Sequence, residues 1–209
     1  MVRNMDKKIN FGCSSSGVDA WINVDNAMRH IIVSKIPFLP KLLYSLGFIT
    51  KDVFNSHLNK KFKNVRYGDV RKRLKFESNS VDYIYSSNML EHLFPEDAKR
   101  FLMECKRILK KNGVLRILIP DLEFQAKEYL LNLNDIDKKN KFIGNLYASQ
   151  EYRGIKNGHK WMYDKYNLSN ILKEIGFSEV IVGEYKSDIF PNASKLNILE
   201  NSLIIEAEK

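Results

Sequence analysis

Apolar and polar positions along the chain sort into short strand-length runs separated by longer helical ones. "KINFG" (8–12), "WINVD" (21–25), "NVRYGD" (64–69) and "SVDYIYSS" (80–87) are short runs rich in β-branched and aromatic residues, which favours strands. "PEDAKRFLMECKRILKKNG" (95–113) has helical spacing, with Ala98, Phe101, Leu102, Cys105, Ile108 and Leu109 on one face. Pro95 and two acids suit its first turn, and Asn112-Gly113 suits its stop. "VLRILIP" (114–120) is continuously apolar, as in a strand covered on both faces. Residues 121–150 read as polar helix with a charge-rich middle at 135–141, and "LSNILKEIGF" (168–177) reads as an amphipathic helix closing on Gly176. "SEVIVGEYK" (178–186) and "NSLIIEAEK" (201–209) finish as strands. Repeated strand–helix alternation predicts an α/β fold, a mostly parallel sheet with helices on both faces. With 209 residues, 44% hydrophobic, and neither repeat nor low-complexity linker, one domain over 1–209 is expected.

Charge changes the picture only in part. Lys and Arg number 34 against 25 Asp and Glu, a net charge of +9. This suits an acidic partner such as nucleic acid, a phosphorylated substrate or an anionic membrane, and equally a basic bias spread over solvated faces. The run "KKFKNVRYGDVRKRLK" (60–75) concentrates that charge. It is either a solvated strand edge or a contact for phosphates of a nucleotide-linked sugar, a lipid head group or RNA. Cys13 and Cys105 have no metal-knuckle or disulfide spacing, and residues 1–10 are too polar for a signal peptide, so a cytoplasmic protein is expected. The most apolar stretch, "HIIVSKIPFLPKLLYSLGFIT" (30–50), is interrupted by Lys35, Pro37, Pro40 and Lys41, which argues against a membrane span. An insertion at 28–60 is expected instead. It would supply core helices, a lid over the site, or an amphipathic segment on anionic lipid with Lys35 and Lys41 at the interface.

In open α/β sheets, ligands gather at the carboxyl ends of the strands. After the first strand come Gly12, Cys13, Ser14, Ser15, Ser16 and Gly17, small enough for a ligand to approach the backbone. After the second comes Asp25, able to accept from both hydroxyls of a ribose; after the third, Asp69; after the fourth, Ser86, Ser87 and Asn88. A nicotinamide cofactor would want G-x-G-x-x-G leading into a helix, with an acid about 20 residues on. Here Asp25 follows Gly12 by 13 residues, and a Walker phosphate loop is absent.

These residues resemble the class I S-adenosylmethionine-dependent methyltransferases, of the compact type found among surface-glycan assembly enzymes. The resemblance runs from about residue 8 to the end. It is strongest in "NVRYGDVRKRLKFESNSVDYIYSSNMLEHLFPEDAKRFLMECKRILKKNGVLRILIPDLE", with "AWINVD" and "HKWMYD" in support. It implies a Rossmann-like methyltransferase fold, with a seven-stranded sheet whose C-terminal strand is antiparallel. It implies S-adenosyl-L-methionine (SAM) as cofactor and S-adenosyl-L-homocysteine (SAH) as product. By position it assigns Gly12, Cys13 and Ser14 to the cofactor's amino-acid end, and Asp25 with Asn26 to the ribose. Asp69 with Val70 falls to the adenine, and Ser86, Ser87 and Asn88 to the floor near the sulfonium. Two residues depart from the pattern. Ser14 stands where glycine is usual, and a negative φ there would leave its hydroxyl free to serve the loop. Asn88 stands where histidine is common, which weakens a proton-transfer role at that position.

Methyl transfer to a hydroxyl gains from a base, and the candidates are Glu91, His92 and His159. By resemblance, N-x-x-E-H with a downstream histidine partly mimics the metal site of ubiquinone-pathway and small-RNA O-methyltransferases. That reading would gather Asn88, Glu91, His92 and His159 around a divalent metal. Asn88 offers a neutral oxygen, so the metal-free reading is preferred. No [ND]-P-P-[YFW] follows the fourth strand, which disfavours methylation of a base amine in nucleic acid. The expected function is O-methylation of a small-molecule or glycan acceptor, phosphorylated or nucleotide-linked in one version. The alternatives are a noncatalytic binding protein on the same fold and a basic nucleic-acid-binding or modifying protein.

Overall fold

The computed structural model describes residues 6–15, 17–62, 64–147, 158–193, 196 and 201–209. Ser16 of the small-residue turn, Lys63 of the basic run and positions 148–150 of the polar helix lie outside the described residues. Seven strands form one sheet: β1 (Lys8–Phe11), β2 (Ile22–Asp25), β3 (Val65–Tyr67), β4 (Val81–Ser87), β5 (Leu109–Pro120), β6 (Glu179–Val182) and β7 (Ser202–Glu208), in the order β3-β2-β1-β4-β5-β7-β6. The pairs from β3 through β5 are parallel, while β7 runs antiparallel to both its neighbours. This is the α/β sheet expected from the sequence, with its antiparallel C-terminal strand. Strand order reverses between β1 and β4, so the carboxyl ends of β1, β2 and β4 border the crevice where ligands collect.

Strand alternation sends successive side chains to opposite faces. Ile84, Leu115, Ile117 and Ile205 join one core cluster, and α4 (Pro95–Ile108) and α7 (Lys165–Ile175) close over it with Phe101, Cys105, Leu168 and Leu172. Tyr85, Val114, Leu118 and Ile204 point the other way, into a second cluster completed by Phe190, Ala193 and Leu196, with Val18 and Trp21 packed against it. Phe190, Val18 and Trp21 come from connections rather than helices. Three helices, α1 (Met28–Ser34), α2 (Leu39–Ser45) and α3 (Lys51–Leu58), occupy the chain between β2 and β3. Among the described residues no helix is long and apolar enough to cross a membrane.

Two boundaries differ from the sequence reading. α4 ends at Ile108, not at Gly113, and Leu109 already pairs with Val81 in β5. Residues 110–113 then absorb a register shift before Val114 pairs opposite Tyr83, with Asn112 at φ 62°. Lys209 Nζ donates to the carbonyls of Arg107 (3.3 Å) and Leu109 (2.7 Å), capping the helix where the strand takes over. The polar helix is two helices, α5 (Leu122–Leu131) and α6 (Ile136–Tyr147), parted at Asn132–Asp135. α7 starts three residues before the expected Leu168, because the Asp164 side chain caps it by accepting from Asn167 N–H at 2.8 Å.

One ion pair lies inside the sheet. Arg116 and Glu206 face each other on β5 and β7, both buried, with an Arg116 Nη1–Glu206 Oε1 contact. Ser187 Oγ donates to Glu206 at 2.8 Å, and Arg116 Nη2 donates to the Glu184 carbonyl at 2.6 Å. Glu206→Ala strands the guanidinium, and the unfolding free energy is expected to fall by about 3–5 kcal/mol. Urea denaturation measures it, and the double replacement Arg116→Met with Glu206→Leu should recover most of the loss.

Candidate active site

Parallel strands normally need a crossover of a dozen or more residues. Only residues 12–21 join β1 to β2, too few for a helix and two turns. The connection is organised instead by side chains of β2. Asn23, buried, accepts from Val18 N–H at 2.8 Å and returns its amide to the carbonyls of Val18 (3.0 Å) and Trp21 (3.3 Å). Asn10, its register partner on β1, donates to it at 3.2 Å. Asp25 accepts from Ser14 N–H at 2.7 Å on one oxygen and from Ala27 N–H at 2.8 Å on the other. Gly12 turns the chain at φ 71°, and a Cβ there would meet Met89 Cγ at 2.4 Å. Ser14 does not keep a negative φ: it sits at 47°, in the left-handed region, where the Asp25 bond to its N–H holds it.

A cleft of about 1000 Å³ opens against this turn, lined by Gly12, Cys13, Ser14 and Ser15, by Ser87 and Asn88 at the end of β4, and by Lys60 and Lys61 after α3. Asn88 is itself left-handed at φ 48°, and its amide donates to Ser87 Oγ at 3.2 Å. Of the residues assigned to the cofactor, Gly12, Cys13, Ser14, Ser87 and Asn88 reach the cleft wall, whereas Asp25, Asn26, Asp69, Val70 and Ser86 are outside its lining. Ser86 is buried, with no partner for its hydroxyl among the described residues. The sequence reading missed Asn10, Asn23, Trp21 and Tyr85, which line the inner end. A signal for two of them existed: an asparagine flanked by apolar residues inside each of two short strands.

The electrostatics of the rim are largely self-satisfied. Asp69 takes three bonds from Arg71, from its backbone N–H (3.1 Å), Nε (2.9 Å) and Nη2 (2.8 Å). These contacts hold its carboxyl below the usual range. The Cys13 thiol is pushed up to about 12, first by burial and then by the Asp25 charge. It stays a thiol and is no nucleophile at neutral pH.

The three base candidates meet beyond the end of β4. Glu91 and His92 sit in a short 3₁₀ turn (Leu90–His92), and the Glu91 carbonyl accepts from Lys160 N–H at 2.7 Å, which draws the "HKWMYD" segment alongside. The candidate donor atoms of Glu91, His92 and His159 all lie within 4.8 Å of one another. Glu91 Oε1 is 4.0 Å from His159 Nε2, and the two imidazole centroids are 5.0 Å apart, edge to face. Glu91 is 1% exposed, and neither carboxylate oxygen has a hydrogen-bond partner among the described residues. Burial raises its pKa from the ordinary 4.5 to about 8, so at neutral pH it is a neutral acid. His159 is pushed below its ordinary value by burial and then by His92, which favours the neutral imidazole.

The strand order and its switch between β1 and β4 are those of the class I methyltransferase fold. Residues 47–117 match a family model described as "Methyltransferase domain". No curated protein sequence matches the chain. Among solved structures, a SAM-dependent methyltransferase of Thermotoga maritima described as a possible histamine N-methyltransferase is 18% identical, at a TM-score of 0.54 over 97% of this chain and 82% of its own. A SAM-dependent methyltransferase of Archaeoglobus fulgidus is also 18% identical, at 0.52 over 99% and 87%. PigF, crystallised with SAH, is 15% identical at 0.51; there the present chain spans 97% of itself and half of the other. The chain therefore has the Rossmann-like methyltransferase fold.

Two measurements follow from this geometry. Ser14→Gly removes a left-handed serine and should raise unfolding free energy by about 1 kcal/mol in urea denaturation. Glu91 binds a proton in the folded chain that the unfolded chain has released between pH 4.5 and about 8. Stability should therefore fall as pH rises through that window, and Glu91→Gln should flatten the profile. A wild-type profile no steeper than that of Glu91→Gln would show that Glu91 is ionised.

Proposed function

We propose that this chain is a SAM-dependent methyltransferase that methylates an oxygen of a small-molecule or glycan acceptor. One observation carries the reading: the small-residue turn after β1 and Ser87–Asn88 at the end of β4 face a single cleft in the crevice of a methyltransferase sheet. The methyltransferase-domain match and the neighbour crystallised with SAH support the same cofactor. Asp25 and Asp69 lie outside the cleft lining, but each retains acceptor capacity for it. A carboxylate has about four acceptor sites. Asp25 receives one backbone N–H on each oxygen, which leaves one site on each for the ribose hydroxyls. Asp69 has three sites filled by Arg71, and its less loaded oxygen remains for the adenine amine, beside Val70.

The sulfonium activates its own methyl group, so the protein's task is to set the acceptor oxygen in line behind it. Such positioning is worth up to about 7–11 kcal/mol. The acceptor proton passes to the His159 imidazole, which burial keeps neutral beside His92 and the protonated Glu91 carboxyl. A second reading uses the same three side chains as ligands to a divalent ion, which supplies Lewis acidity toward the acceptor oxygen when bound. The unpartnered, buried Glu91 carboxylate favours it. Metal analysis of protein purified before and after chelation separates the two: no metal in either sample leaves the histidines as bases.

Calorimetry with SAH tests the cofactor. Saturable binding is expected, weakened about tenfold or more in Asp25→Ala. The absence of heat in the wild type would instead support a noncatalytic protein. Transfer of labelled methyl to hydroxylated acceptors tests the chemistry. There His159→Ala should lower the rate about 10²–10⁴-fold while leaving SAH affinity unchanged.

A further inference from the structure

The helices between β2 and β3 expose apolar side chains that a water-facing surface does not need. Met28 and Ile32 on α1, and Phe38, Leu42 and Leu46 along α2, are exposed at four-residue spacing, which puts each set on one side of its helix. Phe38 is 69% and Phe48 73% exposed, one at each end of α2. These helices are not loose. The His30 and Phe62 rings stack at 5.2 Å with buried His57 against them, Tyr44 stacks on Phe54 at 4.7 Å, and Ile31 packs with Cys13 and Val65. Inward positions are filled, so the outward phenylalanines and leucines are left over. Large apolar side chains left exposed in such number on three successive helices mark an interaction site.

Charge selects the occupant. From Asn26 to Lys51 the chain contains Arg29, Lys35, Lys41 and Lys51 and no aspartate or glutamate, in a protein where acids are otherwise frequent. All four cations are exposed. Aromatic and leucine side chains interspersed with cations, on short helices, are what an anionic lipid surface takes up: apolar groups enter the acyl boundary while ammonium groups stay at the phosphates. α3 leads directly into Lys60 and Lys61 on the cleft wall, so such a surface would lie close to the mouth of the site.

We propose that α1–α3 dock the protein on a membrane rich in anionic lipid, with Phe38 and Phe48 as the inserted side chains. A consequence, which rests on the methyltransferase reading, is that the acceptor is a molecule held at that surface. Co-sedimentation with vesicles tests the docking, using phosphatidylcholine alone and phosphatidylcholine with about one-third phosphatidylglycerol. The wild type should sediment with the anionic vesicles and stay free of the neutral ones. Phe38→Ser with Phe48→Ser should weaken binding at least about tenfold, with far-ultraviolet circular dichroism and SAH affinity unchanged. Lys35→Glu with Lys41→Glu should abolish the preference for phosphatidylglycerol. No sedimentation, equal sedimentation with both vesicle types, or full binding by the double serine variant would overturn the proposal. So would a wild-type dimer by light scattering that the serine variant loses, since the surface would then belong to a second copy. Vesicle binding without SAH binding would sink only the methyltransferase reading, and SAH binding without vesicle binding only the docking.

Discussion

The fold turns on a shortage of chain between its first two strands. β1 and β2 lie parallel, yet residues 12–21 are all that returns the chain from the end of one to the start of the other. A helix would satisfy its own backbone; this connection cannot, so its polar groups must be met from outside. Asn23 and Asp25 meet them, and both are fixed by their place on β2. The left-handed Ser14 and Gly12 are the conformational cost of turning so quickly. The same short turn leaves room for the cleft, so the constraint that shapes the fold also shapes the site.

A division of labour along the sheet edge follows. At β1 and β2 the site is backbone held by carboxylate and amide, a surface suited to binding. Past β4 it is a buried, uncharged acid beside two imidazoles. The two parts differ in how water reaches them: the turn lines an open cleft, whereas Glu91 is sealed. Sealing keeps a carboxyl group neutral at a pH where an exposed one would be ionised.

Much of this was legible in the sequence, for identifiable reasons. Strands buried on both faces read as near-continuous apolar runs, and β5 and β7 do so plainly. The small residues at the ends of β1 and β4 line the cleft, whereas the acids Asp25 and Asp69 stand outside its lining. The α4–β5 boundary was hidden because Leu109 continues the helical apolar face while already belonging to the strand. The backbone angle of Ser14 was hidden for a different reason. Intrinsic preference argues against a left-handed serine, and only the bond from its N–H to Asp25, eleven residues away, overrides it. The pairing of Asp69 with Arg71 lay two residues apart in plain view. Reading Asp69 only as a strand-end acid concealed it.

The second face of the sheet carries one more implication. With no crossover helix after β1, Tyr85, Val114 and Ile204 are roofed by Phe190 and Ala193 from the link between β6 and β7, and by Trp21. Connecting segments ordinarily drift in length and composition among related proteins; this one has become part of the hull. Its freedom to accept insertions is correspondingly small, and a bulky or charged replacement at Phe190 would open the interior as surely as one in a strand.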